Sequence, residues 1–135
     1  MEGAVLLELT KPDFPFVSAG FPSPAGDFTD LSISLDRQLI KNPSATFMVY
    51  AHGDSMINAG IHHGDILIVD RSVTTIDGDI IIALLDGEFL IKEYFNKNGD
   101  IRLVPHNSEY SSIKISKEMD FQVWGVVIHS IRSFK

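Results

Sequence analysis

Apolar and polar positions divide the chain into two regimes. From Thr46 onward, short apolar runs recur at close intervals, bounded by Gly-Asp, Asp-Gly or Asn-Gly pairs. Runs of this kind, rich in Ile, Val, Leu and Phe, predict strands rather than helices. The expected strands cover 46–51, 65–71, 79–85, 88–95, 100–105 and 121–134. Asp86-Gly87 and Asn98-Gly99 sit between such runs and predict two-residue hairpins, whose central residues take positive φ. Ile66-Leu-Ile-Val69 and Ile80-Ile-Ile-Ala-Leu-Leu85 do not alternate with polar residues, so both faces of those strands are expected to be covered.

Residues 1–45 obey a different pattern, with Pro12, Pro15, Pro22, Pro24 and Pro43 and few apolar runs. Each proline removes an amide donor and biases the residue before it toward extended geometry, so 12–24 cannot hold a helix. An extended arm is expected there. Around Leu31–Ile40 a short helix competes with a strand suggested by the alternation Leu31, Ile33, Leu35. The implied organisation is an arm over 1–45 and a β-rich domain over 46–135, mainly β, compact and strongly curved.

Composition narrows the function. A chain of 135 residues that is 44% hydrophobic has material for one small core. Its net charge of −7, with no basic stripe, argues against a direct grip on nucleic acid. The absence of cysteine excludes disulfides, thiolate chemistry and zinc–thiolate sites, and suits a reducing cytosol. Val5-Leu6-Leu7 is flanked by Glu2 and Glu8 with no basic region before it, so no secretory signal is expected. No run approaches the length of a membrane span, and the expected location is the cytoplasm.

Candidate chemistry starts at Lys92. On a strand over 88–95, alternation puts Lys92 on one face with Leu90 and Tyr94. Those neighbours would desolvate the ammonium and favour the neutral amine, which a general base near neutral pH requires. The commoner arrangement is a lysine on an edge strand, its stem packed and its charge in water. Ser55 follows the first strand at a Gly53-Asp54 corner, with a helical turn expected over Met56–Gly60. A nucleophile at such a corner is exposed, and the backbone amides of Ser55 and Met56 are candidates for an oxyanion site. An ordinary turn serine is again the more frequent case. His52 is too near Ser55 along the chain to be its base, His62 and His63 point apart as neighbours, and His106 and His129 lack ligand spacing. No metal site or other cofactor is expected. Lys97, in a solvated turn, is a poor base.

Six blocks in order carry a resemblance over nearly the whole chain. They are Ala19-Gly20-Phe-Pro-Ser-Pro24, Pro43-Ser-Ala-Thr46, Gly53-Asp-Ser-Met56, Gly64-Asp-Ile-Leu-Ile-Val-Asp70, Asp86-Gly-Glu-Phe89 with Lys92, and Gly125-Val-Val-Ile-His129. The chain resembles the UmuD/LexA-type self-cleaving serine–lysine peptidases. That family includes the self-cleaving subunit of an error-prone DNA polymerase, and the LexA and phage repressors. The resemblance implies a LexA/UmuD-like β domain, Ser55 as nucleophile, Lys92 as general base and Ala19-Gly20 as the scissile bond. Ala25-Gly26 lies beyond the Phe-Pro-Ser-Pro block and is the lesser candidate.

The resemblance also implies a role in the SOS response. A RecA filament on single-stranded DNA would stimulate cleavage, and the product would serve a UmuC-type translesion polymerase as a homodimer. Residues before Gly20 contain Pro12 and Pro15 and are not basic, so the DNA-binding headpiece of the repressors is not expected. Membrane signal peptidases share the chemistry but need an anchor that is not expected here. His52, beside the Gly53-Asp-Ser motif, departs from the family pattern and bears on access to Ser55. Two other classes stay open: a non-catalytic dimerisation and polymerase-binding module, and a protease of other proteins with the arm as a pro-segment.

Overall fold

The structure, a computed structural model, describes residues 34–135. Helix α1 (Leu35–Leu39) opens it, with Ser34 as N-cap accepting the Arg37 amide on its hydroxyl at 3.5 Å. None of its residues is buried. Where the sequence left helix and strand in competition, this stretch is helical; residues 31–33 lie outside the described part.

The unit Asn42–Lys135 is a β body. It contains β1 (Thr46–Tyr50), β2 (Ile66–Asp70), β3 (Ile80–Leu85), β4 (Glu88–Lys97), β5 (Asp100–Val104), β6 (Ile113–Lys114) and β7 (Phe121–Ile131). Short 3₁₀ turns cover Pro43–Ala45 and Ile57–Ala59. All seven strands form one antiparallel sheet in the order β1-β2-β7-β3-β4-β5-β6. The chain is mainly β, as its apolar runs predict. The last strand of the sequence therefore lies in the middle of the sheet, between β2 and β3. Register shifts at Ile68/Val69 and at Ile82/Ala83, both against β7, bend the strands locally.

Alternation sorts neighbouring residues into two cores. Ile82 joins Ala51, Met56, Ile61, Leu67 and Val69 in one cluster, while Ile81 joins Ala83, Tyr94, Leu103 and Val126 in the other. β3 is thus covered on both faces, as its unbroken apolar run predicts. The same holds for β2, where Leu67, Ile68 and Val69 are all buried.

Both hairpins form as expected. Asp86 and Gly87 take φ of 48° and 87° between the paired Leu85 and Glu88, and Asn98 and Gly99 take 54° and 84° between Lys97 and Asp100. A different constraint acts at Gly125 on β7, where an added Cβ would lie 2.5 Å from Val69 Cγ1. Only glycine lets these two strands approach so closely.

Strand ends differ from expectation where side chains intervene. β7 stops at Ile131 because Arg132 turns back to Asp65, its Nε donating to Oδ1 and its Nη2 to Oδ2, each at 3.0 Å. Arg132 Nη2 also donates to the Gly60 carbonyl, and the His62 amide donates to Asp65 Oδ2. The guanidinium, with help from that amide, holds the buried Asp65 carboxyl down at about 2. This fork ties the turn before β2 to the end of β7. β6 went unpredicted because two residues give no pattern to read; Ile113 and Lys114 pair with Leu103 and Arg102. Among the described residues no helix is long and apolar enough to cross a membrane.

Candidate active site

The corner that carries Ser55 is built by backbone constraints on either side of it. After β1, the Ala51 amide donates to the Asp65 carbonyl at 2.8 Å, and the Gly64 amide returns a bond to Ala51. Gly53 then takes φ of +86°, which reverses the chain, and its amide donates to His63 Nδ1 at 3.0 Å. The Ile57 amide closes a turn on the Asp54 carbonyl. Met56, 2% exposed, drops into the core with Ile61 and Leu67. Burying the residue next to Ser55 fixes where the serine can point.

Lys92 lies near the middle of β4, on the face it shares with Leu90 and Tyr94, as alternation predicts. It is 7% exposed, and its Nζ donates to Ser55 Oγ at 2.8 Å. The structure thus joins the two residues that the sequence singled out, although 37 positions separate them. Among the described residues no carboxylate pairs with the Lys92 ammonium; the ring of Tyr110, 5.8 Å from Nζ, is its aromatic neighbour. Burial therefore acts unopposed and pushes the lysine pKa below its ordinary value.

Ser55 and Lys92 line a cleft of about 570 Å³ with Val49, Ile82, Phe89, Leu90 and Trp124 among its apolar walls. His52 also lines this cleft, its ring packed edge-on against His63 at 5.0 Å. A cleft of this character suits apolar side chains of an extended peptide. Among the described residues, the Ser55 and Met56 amides donate to no protein acceptor. Chemically, a hydroxyl bonded to an amine that is easily neutralised can give up its proton and attack a carbonyl carbon. Ala19 and Gly20 lie outside the described residues, as does the Ala25-Gly26 pair.

One part of the site escaped the sequence. The segment after β5, His106 to Tyr110, grips the serine corner from the far side. The His106 amide donates to the Ser55 carbonyl at 2.8 Å, and the His106 carbonyl accepts from the Asn58 amide at 2.8 Å. Asn107 Nδ2 donates to the Asp54 carbonyl at 2.9 Å, and the Tyr110 hydroxyl donates to Asp54 Oδ1. That hydrogen bond, with the charge of Asp54 behind it, raises the Tyr110 pKa. His106, which has no metal-ligand spacing in the sequence, bonds to Glu93 through Nε2. Only the polar, turn-forming character of 106–110 hinted at a loop here. Among the described residues, no group of three or more His, Asp or Glu side chains is placed to hold a metal ion.

A serine bonded to a buried lysine, on an antiparallel β body, defines a class of site found in serine peptidases that use an amine instead of histidine. The Peptidase S24-like family model matches residues 13–128. The chain is 43% identical to SamA of Salmonella typhimurium over 118 residues, covering 85% of this chain and 81% of SamA. It is 36% identical to MucA of Escherichia coli over 116 residues, covering 85% and 79% of the two. With the LexA repressor of Clostridium perfringens it shares 33% identity over 118 residues, which is 87% of this chain but 57% of the repressor. The chain belongs to the Peptidase S24 family, among its UmuD-like members, and the family's activity is of the serine-peptidase kind.

Proposed function

We propose that this chain is a self-cleaving serine protease of the SOS response that cuts its own Ala19–Gly20 bond. Ser55 is the nucleophile, Lys92 the general base, and the proline-ruled arm the substrate. The single observation that supports this most is the 2.8 Å contact between Lys92 Nζ and Ser55 Oγ, made by a lysine that is buried without a carboxylate. A lysine that stabilised the fold alone would be expected to pair or to reach water.

In this mechanism neutral Lys92 takes the Ser55 proton as Oγ adds to the Ala19 carbonyl carbon. The amides of Ser55 and Met56 donate to the oxyanion. Collapse breaks the C–N bond, and protonated Lys92 delivers its proton to the departing Gly20 amine. Neutral again, Lys92 deprotonates a water that attacks the acyl-enzyme, and the alkoxide of Ser55 recovers the proton. The products are residues 1–19 and 20–135. Because the substrate is tethered, effective concentration is high and control falls to conformation. A RecA–single-stranded DNA filament is the proposed stimulus, and a UmuC-type translesion polymerase is the proposed client of the shortened homodimer. The likeness to UmuD-like relatives supports an SOS mutagenesis context.

The test is the intact mass of purified protein incubated at neutral and mildly alkaline pH. A single cut after Ala19 is expected, absent in Ser55→Ala and in Lys92→Ala. Cleavage that persists in both variants would sink the mechanism, and a cut after Ala25 would move the bond. A chain with a vestigial site, acting only as an interaction module, would stay intact throughout.

A further inference from the structure

The geometry points to Glu93 and His106 as positioning residues that hold Ser55 against Lys92, an inference that rests on the cleavage reading above. The connection is a closed ring. Ser55 Oγ meets Lys92 Nζ at 2.8 Å. Lys92 is joined by one peptide bond to Glu93, whose Oε1 bonds His106 Nε2. The His106 amide then donates to the Ser55 carbonyl at 2.8 Å, which returns the path to its start. On the other side of the serine, the His106 carbonyl accepts the Asn58 amide, so the histidine backbone spans the corner.

This ring adds a side-chain tie to the packing of Met56 with Ile82 and Ile91. β5 pairs with β4 only from Glu93 onward, so Lys92 itself has no β5 partner. The serine corner reaches that stretch of β4 through the segment that follows β5. Without the Glu93–His106 bond, this segment would keep its backbone contacts to the corner but lose its side-chain tie to the strand that carries the lysine. The spacing of nucleophile and base would then rest on core packing and the β4–β5 ladder alone, and would be held less tightly. Small losses of alignment at a reacting pair are costly in rate, about 100-fold for a displacement near 1 Å. The pair is not a core element: the His106 and Glu93 side chains are 31% and 29% exposed, outside both apolar clusters. Removing it should therefore slow the chemistry without unfolding the domain.

The experiment measures first-order self-cleavage of the full chain at alkaline pH, together with its melting temperature, in a double-mutant cycle. Glu93→Ala and His106→Ala are each expected to slow cleavage about tenfold, and the double variant to be no slower than either. His106→Gln, which retains an amide donor toward Glu93, is expected to stay within about threefold of the parent chain. Melting temperatures should not change enough to account for the losses. Independent, multiplying losses, single variants that cleave like the parent, or losses that follow melting temperature would each overturn the inference while leaving the cleavage reading intact. A parent chain that stays whole at every pH would overturn both.

Discussion

Burial of Lys92 makes a quantitative claim about rate and pH. A lysine at its ordinary pKa of 10.5 is neutral in about one molecule in 3,000 at pH 7. Each unit by which burial lowers that pKa raises the neutral fraction tenfold, equivalent to about 1.4 kcal/mol of differential solvation. Self-cleavage should therefore climb close to tenfold per pH unit at neutral pH and level off below the ordinary lysine pKa. Leu90 offers a way to perturb this without touching the reacting atoms, because it lines the same cleft and lies on the same face of β4. Leu90→Asn keeps the branched shape and brings in a hydrated amide, which re-solvates the ammonium. The expected result is roughly fivefold slower cleavage near pH 7.5, and a rate within about twofold of the parent at the alkaline plateau. Leu90→Val, smaller but apolar, should slow both conditions alike if it acts at all. The assay is the intact mass against time across the pH series, with melting temperature measured alongside. A Leu90→Asn chain slowed equally at both ends of the profile, or a parent rate flat between about pH 7 and 9, would refute the reasoning.

Two further outcomes follow from burial and packing. Because the folded pKa of Lys92 lies below the unfolded one, the unfolded chain binds more protons between them; the penalty is full below the folded pKa and fades as pH rises toward 10.5. Lys92→Met should accordingly raise the melting temperature at pH 7, with the gain gone near pH 11, and an unchanged or lower value at pH 7 would contradict it. Gly125→Ala should cost about 1–3 kcal/mol, since its methyl meets Val69 Cγ1 at 2.5 Å. In a Val69→Ala background the same change should be nearly harmless, and strictly additive losses in denaturant unfolding would show that the contact is not the cause.

How far the chain could be read depended on the range of each interaction. β2, β3 and the two hairpins were legible because their signals are local: unbroken apolar runs and Asp-Gly or Asn-Gly turns specify their own geometry. Lys92 was legible through alternation, which put Leu90 and Tyr94 beside it before any partner was known. Its contact with Ser55 was not derivable from spacing, and rested on resemblance until the fold closed the distance. The place of His106 in the site was not derivable from spacing either. Its partners are Glu93, thirteen positions away, and the Ser55 corner, and neither leaves a periodic trace. The end of β7 was overrun because a long-range ion pair, Arg132 with Asp65, decides where the ladder stops.

The place of β7 has a consequence for how the site is held together. Along the chain the β1–β2 pair comes first and the β3-β4-β5 meander next. These two pieces hold Ser55 and Lys92 respectively, yet they have no strand contact with each other until Phe121–Ile131 is laid between them. Ser55 and Lys92 thus stand on two pieces of one sheet that β7 joins strand to strand, and the polar segment His106–Tyr110 is the other bridge between them.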